Sequence, residues 1–137
     1  MGLELPRALA VAIVEHARQE FPNECCGLLA GRGARVERVF RGSNVDRSPY
    51  TYRLDPQEQL QFFKTIDAEG LELLAIYHSH TQSAAYPSRT DVAQAFYPDA
   101  VHVIVSLRNG AAAGDDPEVR AFRIRDGQIT EEELVHV

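Results

Sequence analysis

The chain has 137 residues, 45% hydrophobic and 25% charged, which is the length and make-up of one globular domain with its own core, expected over 1–137. Its 14 basic and 20 acidic residues leave a formal charge of −6, and the densest basic group, Arg120, Arg123 and Arg125, falls in an expected strand, so a nucleic-acid-binding face is excluded. No apolar run is long enough to span a membrane and no basic segment followed by an apolar core opens the chain, so a cytoplasmic protein with no membrane partner is expected.

In chain order, Leu5, Leu9, Ile13 and Ala17 recur every four residues and predict a helix from Leu5 to Phe21, with Pro6 in its first turn and Pro22 as its stop. Asn23 and Glu24 turn into an apolar run, Cys25 to Ala30, that reads as a buried strand ended by glycines 31 and 33. Arg35 to Phe40 alternates polar and apolar and returns as the second arm of a hairpin. A polar loop, Gly42 to Pro49, leads to Tyr50 to Leu54, a strand or extended segment. Asp55, Pro56 and Glu58 are a cap, a first helical residue and a third, so a helix runs from there to about Ala68, with Gly70 after its end.

Glu72 to Tyr77 is rich in Leu and Ile and predicts a central strand, followed by a loop. A short helix is expected from Asp91 to Tyr97, broken by Pro98. Val101 to Leu107 is the most β-branched run and should be buried. Asn109 to Pro117 is a loop, Val119 to Arg125 a strand, Asp126-Gly127 a hairpin turn, and Gln128 to Val137 the last strand. The fold class is α/β or α+β, a mixed sheet flanked by helices. Cys25 and Cys26 are neighbours that point to opposite faces, so they are expected as buried free thiols; no C-x-x-C spacing is present.

The chemistry concentrates between Ile76 and Asp91. His78 and His80 are one residue apart, so in a strand both imidazoles face the same way and Ser79 faces the other. Ten residues separate His80 from Asp91, enough to fold that carboxylate back over them. Two nitrogens and one oxygen suit Zn²⁺, and three protein ligands leave a fourth position for water, the arrangement of a catalytic site. A base must then take the proton from that water. Glu24 is a candidate, although spacing alone does not separate it from Glu20 or Glu72. Ser88 can donate to an oxyanion, and S-R-T-D is also a helix cap. His16, His102 and His136 have no such spacing and read as structural or exposed.

With an upstream Glu24, the pattern His78-Ser79-His80, seven residues, Ser88, two residues, Asp91 resembles the JAMM (MPN+) zinc metalloproteases at every motif position. Flanking runs N-E-C-C-G-L-L-A-G (23–31), S-P-Y-T-Y-R-L-D-P-Q-E-Q (48–59), Asn44, and A-Y-P-S-R-T-D (85–91) are similar to small bacterial members of that family, which include a hydrolase that releases cysteine from a sulfur-carrier protein. The resemblance implies a curved mixed sheet between helices, related to the cytidine deaminase architecture. It implies His78, His80 and Asp91 as zinc ligands, Glu24 as acid/base and Ser88 as oxyanion donor. It also implies cleavage after the C-terminal Gly-Gly of a small ubiquitin-like or sulfur-carrier protein. A deconjugase acting on lysine linkages is the alternative, and a metal-free scaffold a further one. The deaminase signature and the helical H-E-x-x-H of other zinc proteases are absent from the sequence.

Overall fold

The computed structural model describes residues 2–137. In chain order the elements are β1 (Leu3–Leu5), α1 (Arg7–Glu20), β2 (Cys26–Arg32), β3 (Arg35–Gly42), α2 (Pro56–Ala68), β4 (Glu72–His80), α3 (Arg89–Ala93), β5 (Val101–Ser106), β6 (Glu118–Arg125), β7 (Gln128–Glu132) and β8 (Leu134–His136), with a 3₁₀ turn at Ala111–Ala113. The strands form one eight-stranded sheet in the order β7-β6-β5-β4-β2-β3-β1-β8. It is mixed: β4 pairs antiparallel with β2 and parallel with β5. The expected mixed α+β architecture is present.

The two ends of the chain depart from expectation. Leu5 does not start the helix; it closes β1, fully buried, and Pro6 sits at the helix boundary, where its carbonyl accepts from Leu9 and Ala10 at 2.9 and 3.0 Å. The alternation of Leu3 and Leu5 is a two-residue period that the four-residue helical spacing beginning at Leu5 concealed. The expected last strand is two strands. β7 pairs with β6, and after the single residue Glu133, β8 pairs in parallel with β1 at the opposite edge of the sheet. Opposite edges one residue apart require the sheet to curl until they meet, which gives the curvature.

The curl wraps α1. Ile13 and Ala17 of α1 share a core cluster with Leu29, Tyr77, Val103 and Val105 from the facing strands. On the other face α2 packs Ile66 against Leu28, Ala30 and Phe40. The α2 start is as expected: the Asp55 carboxylate accepts from the backbone of Gln57 and Glu58 at 2.8 and 3.4 Å. Tyr50 to Leu54 is extended and no strand; a bridge from Asn44 to Leu54, the Val45 N–H donating to the Arg53 carbonyl at 2.9 Å and the Asn44 side chain bonding Thr51 and Arg53 hold it. The short helix begins at Arg89 and ends at Ala93, before its expected end at Tyr97.

Candidate metal centre

β4 runs three residues beyond its expected end and carries both histidines inside the sheet. Its partners are the reason: Cys26 of β2 pairs with His78, and His78 and His80 pair with Ile104 and Ser106 of β5. The period of two puts Ile76, His78 and His80 on the α2 face and Tyr77 and Ser79 on the α1 face. Ser79 is not idle there. Its Oγ accepts from the backbone N–H of Cys25 at 2.8 Å, which fixes the entry to β2. Glu24 is the next residue outward. Its N–H donates to the Ser48 carbonyl at 2.9 Å and its carbonyl accepts from Asn44 Nδ2 at 3.1 Å.

Asp91 comes from α3. Ser88 caps that helix reciprocally: its Oγ accepts from the Asp91 N–H at 3.0 Å, and Asp91 Oδ2 accepts from the Ser88 N–H at 2.8 Å. The same Oδ2 lies 3.1 Å from His78 Nε2 and 3.1 Å from His80 Nε2, and the two nitrogens are 3.2 Å apart. Ligands held at about 2.0–2.1 Å around a tetrahedral ion stand roughly 3.3 Å apart, so this triangle is close to the size a zinc ion needs. Among the described residues these three are the cluster able to hold a metal.

Protonation supports the fit. His80 Nδ1 is 2.8 Å from the Ala84 carbonyl and must donate to it, which in a neutral ring leaves a lone pair on Nε2. That lone pair faces a carboxylate oxygen. Two acceptors at 3.1 Å are tolerated only with positive charge between them or on the ring, from a metal ion or a proton. Burial works against charge on His80, but Asp91, the Ala84 carbonyl and Glu24 outweigh it and raise its pKa. Burial lowers that of His78. For Asp91 burial is opposed and overcome by hydrogen bonds from His78, His80 and the Ser88 amide, so its carboxyl is held well below the usual range.

Glu24 is 3% exposed, and Oε1 has no hydrogen-bond partner among the described residues. Burial pushes its carboxyl up to about 8, against the pull of His80 and with a further push from Asp91. Glu24, His80 and Ser88 line one cleft of ≈ 250 Å³ with Tyr50 and Thr81. The five residues singled out from the sequence are therefore brought together.

Other expectations resolve as follows. Cys25 and Cys26 are buried free thiols outside the metal cluster. His16 bonds Tyr77 Oη at 2.7 Å on the α1 face, and His136 lies in edge strand β8. Residues that sequence reasoning did not assign to the site are Ser79, Asn44, the Ala84 carbonyl and Tyr52. The Tyr52 ring stacks on His78 with centroids 4.5 Å apart and planes at 24°. Asn44 and Tyr52, the latter within the run 48–59, both belong to the flanking similarity, which was the available signal; that Tyr52 stacks on His78, 26 residues on, could not be read from spacing.

Residues 6–125 match the prokaryotic homologs of the JAB domain. The chain belongs to the prokaryotic JAB family. This JAB protein is 47% identical over 129 residues to the CysO-cysteine peptidase of Mycobacterium tuberculosis, spanning 90% of this chain and 84% of that one. It is 40% identical over 127 residues to the probable TtuB-protein conjugate cleaving protease of Thermus thermophilus, spanning 92% and 78%. The solution structure of protein DSY2949 from Desulfitobacterium hafniense superposes with a TM-score of 0.87 at 37% identity, over 98% of this chain and 92% of that one. The JAMM resemblance is thereby borne out, and this JAB protein is a hydrolase, which sets aside the scaffold alternative.

Proposed function

We propose that this JAB protein is a zinc-dependent peptidase that cleaves the bond after the C-terminal Gly-Gly of a small ubiquitin-like or sulfur-carrier protein. The carrying observation is the convergence of His78 Nε2, His80 Nε2 and Asp91 Oδ2 within 3.1–3.2 Å of one another at the edge of the cleft that holds Glu24. His78, His80 and Asp91 would hold the ion. Bound there, zinc supplies a Lewis acid that polarises the scissile carbonyl and makes water acidic near neutral pH. Glu24 takes the proton of the attacking water and returns it to the leaving amine; a carboxyl pushed towards neutrality by burial can do both. The Ser88 hydroxyl accepts from Asp91 N–H through a lone pair, which leaves its own proton free to donate to the oxyanion. The capping and catalytic roles of Ser88 are therefore compatible.

Of the two linkages, a C-terminal cysteine on the carrier is favoured, because the mycobacterial relative named for that substrate is the more similar of the two. Its removal would place the protein in cysteine biosynthesis, and reduced Cys25 and Cys26 suit a cytoplasmic location. The test is to offer the zinc-loaded protein CysO-cysteine and a lysine-linked conjugate of the same carrier. Faster release of cysteine is expected. Preference for the lysine linkage would reassign it as a deconjugase, and inertness to both would refute the function.

A further inference from the structure

The sheet face that carries the histidines is laid out in rows. Leu28, Ile76 and His102 pair across β2, β4 and β5, and Cys26, His78 and Ile104 form the next row, two residues along each strand. Two residues of strand cover about 6.6–6.8 Å. Continuing in the same direction, the third row holds His80 and, across from it, Glu24. The His78 row thus lies between the row of Glu24 and His80 and the row of His102.

Over that His102 row lies a groove of ≈ 230 Å³, walled by Tyr52, Leu54, Phe96 and Tyr97, with Arg53, Gln59 and Gln94 as its polar lining. Small-molecule sites usually measure about 300–1,000 Å³, so this groove is sized for one or two side chains. Phe96 leaves an apolar ring 75% exposed at its rim. His102, 3% exposed, is the polar member of the floor, and its Nε2 has no hydrogen-bond partner among the described residues. The groove is continuous with the metal centre, because Tyr52 lines it and also stacks on His78.

We infer that this groove is the subsite for the first side chain upstream of the Gly-Gly of the carrier tail, and that it selects an aliphatic residue there. The inference rests on the function proposed above. In that reading Glu24 hands its proton to the leaving amine, so the leaving group lies in the Glu24 cleft and the acyl chain departs past Tyr52. An extended segment advances about 3.3 Å per residue. With the scissile carbonyl at the His78 row, the two glycines span one row spacing, and the third residue from the bond stands over Leu28, Ile76 and His102. Its aliphatic side chain is buried against Leu54, Ile76 and Phe96, and the tail backbone supplies the partner that His102 lacks. Alanine leaves the groove partly empty, and aspartate sets a carboxylate against Leu28, Leu54 and Ile76, while the cation of the lining, Arg53, is already paired with Asp46 at 3.5 Å.

The experiment uses the zinc-loaded protein and CysO-cysteine prepared with Leu, Ala or Asp at the third position before the bond. The expected kcat/KM falls about tenfold or more from Leu to Ala and further to Asp. Phe96→Ala, at an exposed rim position, should shrink the Leu-to-Ala ratio several-fold with zinc content unchanged. Equal kcat/KM for the three conjugates, or undiminished discrimination in Phe96→Ala, would overturn the inference while leaving the peptidase reading intact. Failure to cleave any of them would sink both.

Discussion

Glu24 stands across from His80 at the open end of the β2–β4 ladder. Cys26 pairs with His78, and the Cys25 carbonyl accepts from Ser79 N–H at 3.2 Å, so the next residue outward meets the second histidine. Glu24→Gln keeps this placement and removes the ionisable group. Zinc content should match the wild type, while kcat falls by roughly 10²–10⁴-fold. Metal analysis beside steady-state kinetics checks it; full activity would remove Glu24 from the mechanism.

His80→Ala removes one of the three proposed ligands, so metal and activity should disappear together. Chelation of the wild-type protein should give the same loss, and added Zn²⁺ should restore only the wild type. Zinc retained at full stoichiometry in the variant would contradict the ligand assignment.

The burial of Glu24 makes a prediction about stability and pH. Its carboxyl is raised from 4.5 to about 8, so in metal-free protein the folded state keeps a proton that the unfolded chain releases in that window. The associated stability is present in full below pH 4.5 and is lost as pH rises through 8. Metal-free Glu24→Gln should therefore match metal-free wild type near pH 4 and exceed it by roughly 3–5 kcal/mol near pH 9. Denaturant unfolding at the two pH values measures this. A gap that does not grow with pH would show that the carboxyl is not raised.

Ser88 caps α3, and the proposed function gives it a separable second duty as oxyanion donor. Ser88→Ala should lose about 1 kcal/mol of stability from the cap, whereas Ser88→Gly should lose only a few tenths. Both lack the hydroxyl donor, so both should lose about 10²–10³-fold in kcat. If activity instead followed stability across the pair, the oxyanion role would fail.

Metal-binding histidines ordinarily donate their second nitrogen to a fixed partner. His80 does so through Ala84, but His78 Nδ1 is buried with no partner among the described residues, and the stacked Tyr52 ring is its support. Tyr52→Ala should weaken zinc affinity about 10–100-fold, and Tyr52→Phe should restore it. Competition against a zinc indicator reads this without reference to turnover.

Local chemistry was legible along much of the chain. Asp55-Pro56 announced α2, the alternation of β3 and the β-branched run of β5 announced strands, and the H-x-H pair announced a shared face. Errors fell where pairing with a distant strand decides the element. β1 and β8 exist because they pair with each other, and β4 extends through His80 because β2 and β5 continue beside it. In a segment of three residues the alternation is too brief to outweigh a longer helical spacing beside it.

The sequence by itself determined the donor set and its spacing: two imidazoles on one face, a carboxylate that also caps a helix, and a hydroxyl beside it. Its spacing did not separate the candidate glutamates, and only the family resemblance pointed to Glu24. Glu20 ends α1. Glu72 opens β4, eight residues from His80, which in a strand is roughly 26 Å away. Only the antiparallel register of β2 on β4, held by Ser79 on the hidden face, brings Glu24 to the histidines and buries it there. That register is a long-range property of the folded sheet, and burial, which shifts the carboxyl towards neutral pH, follows from the fold.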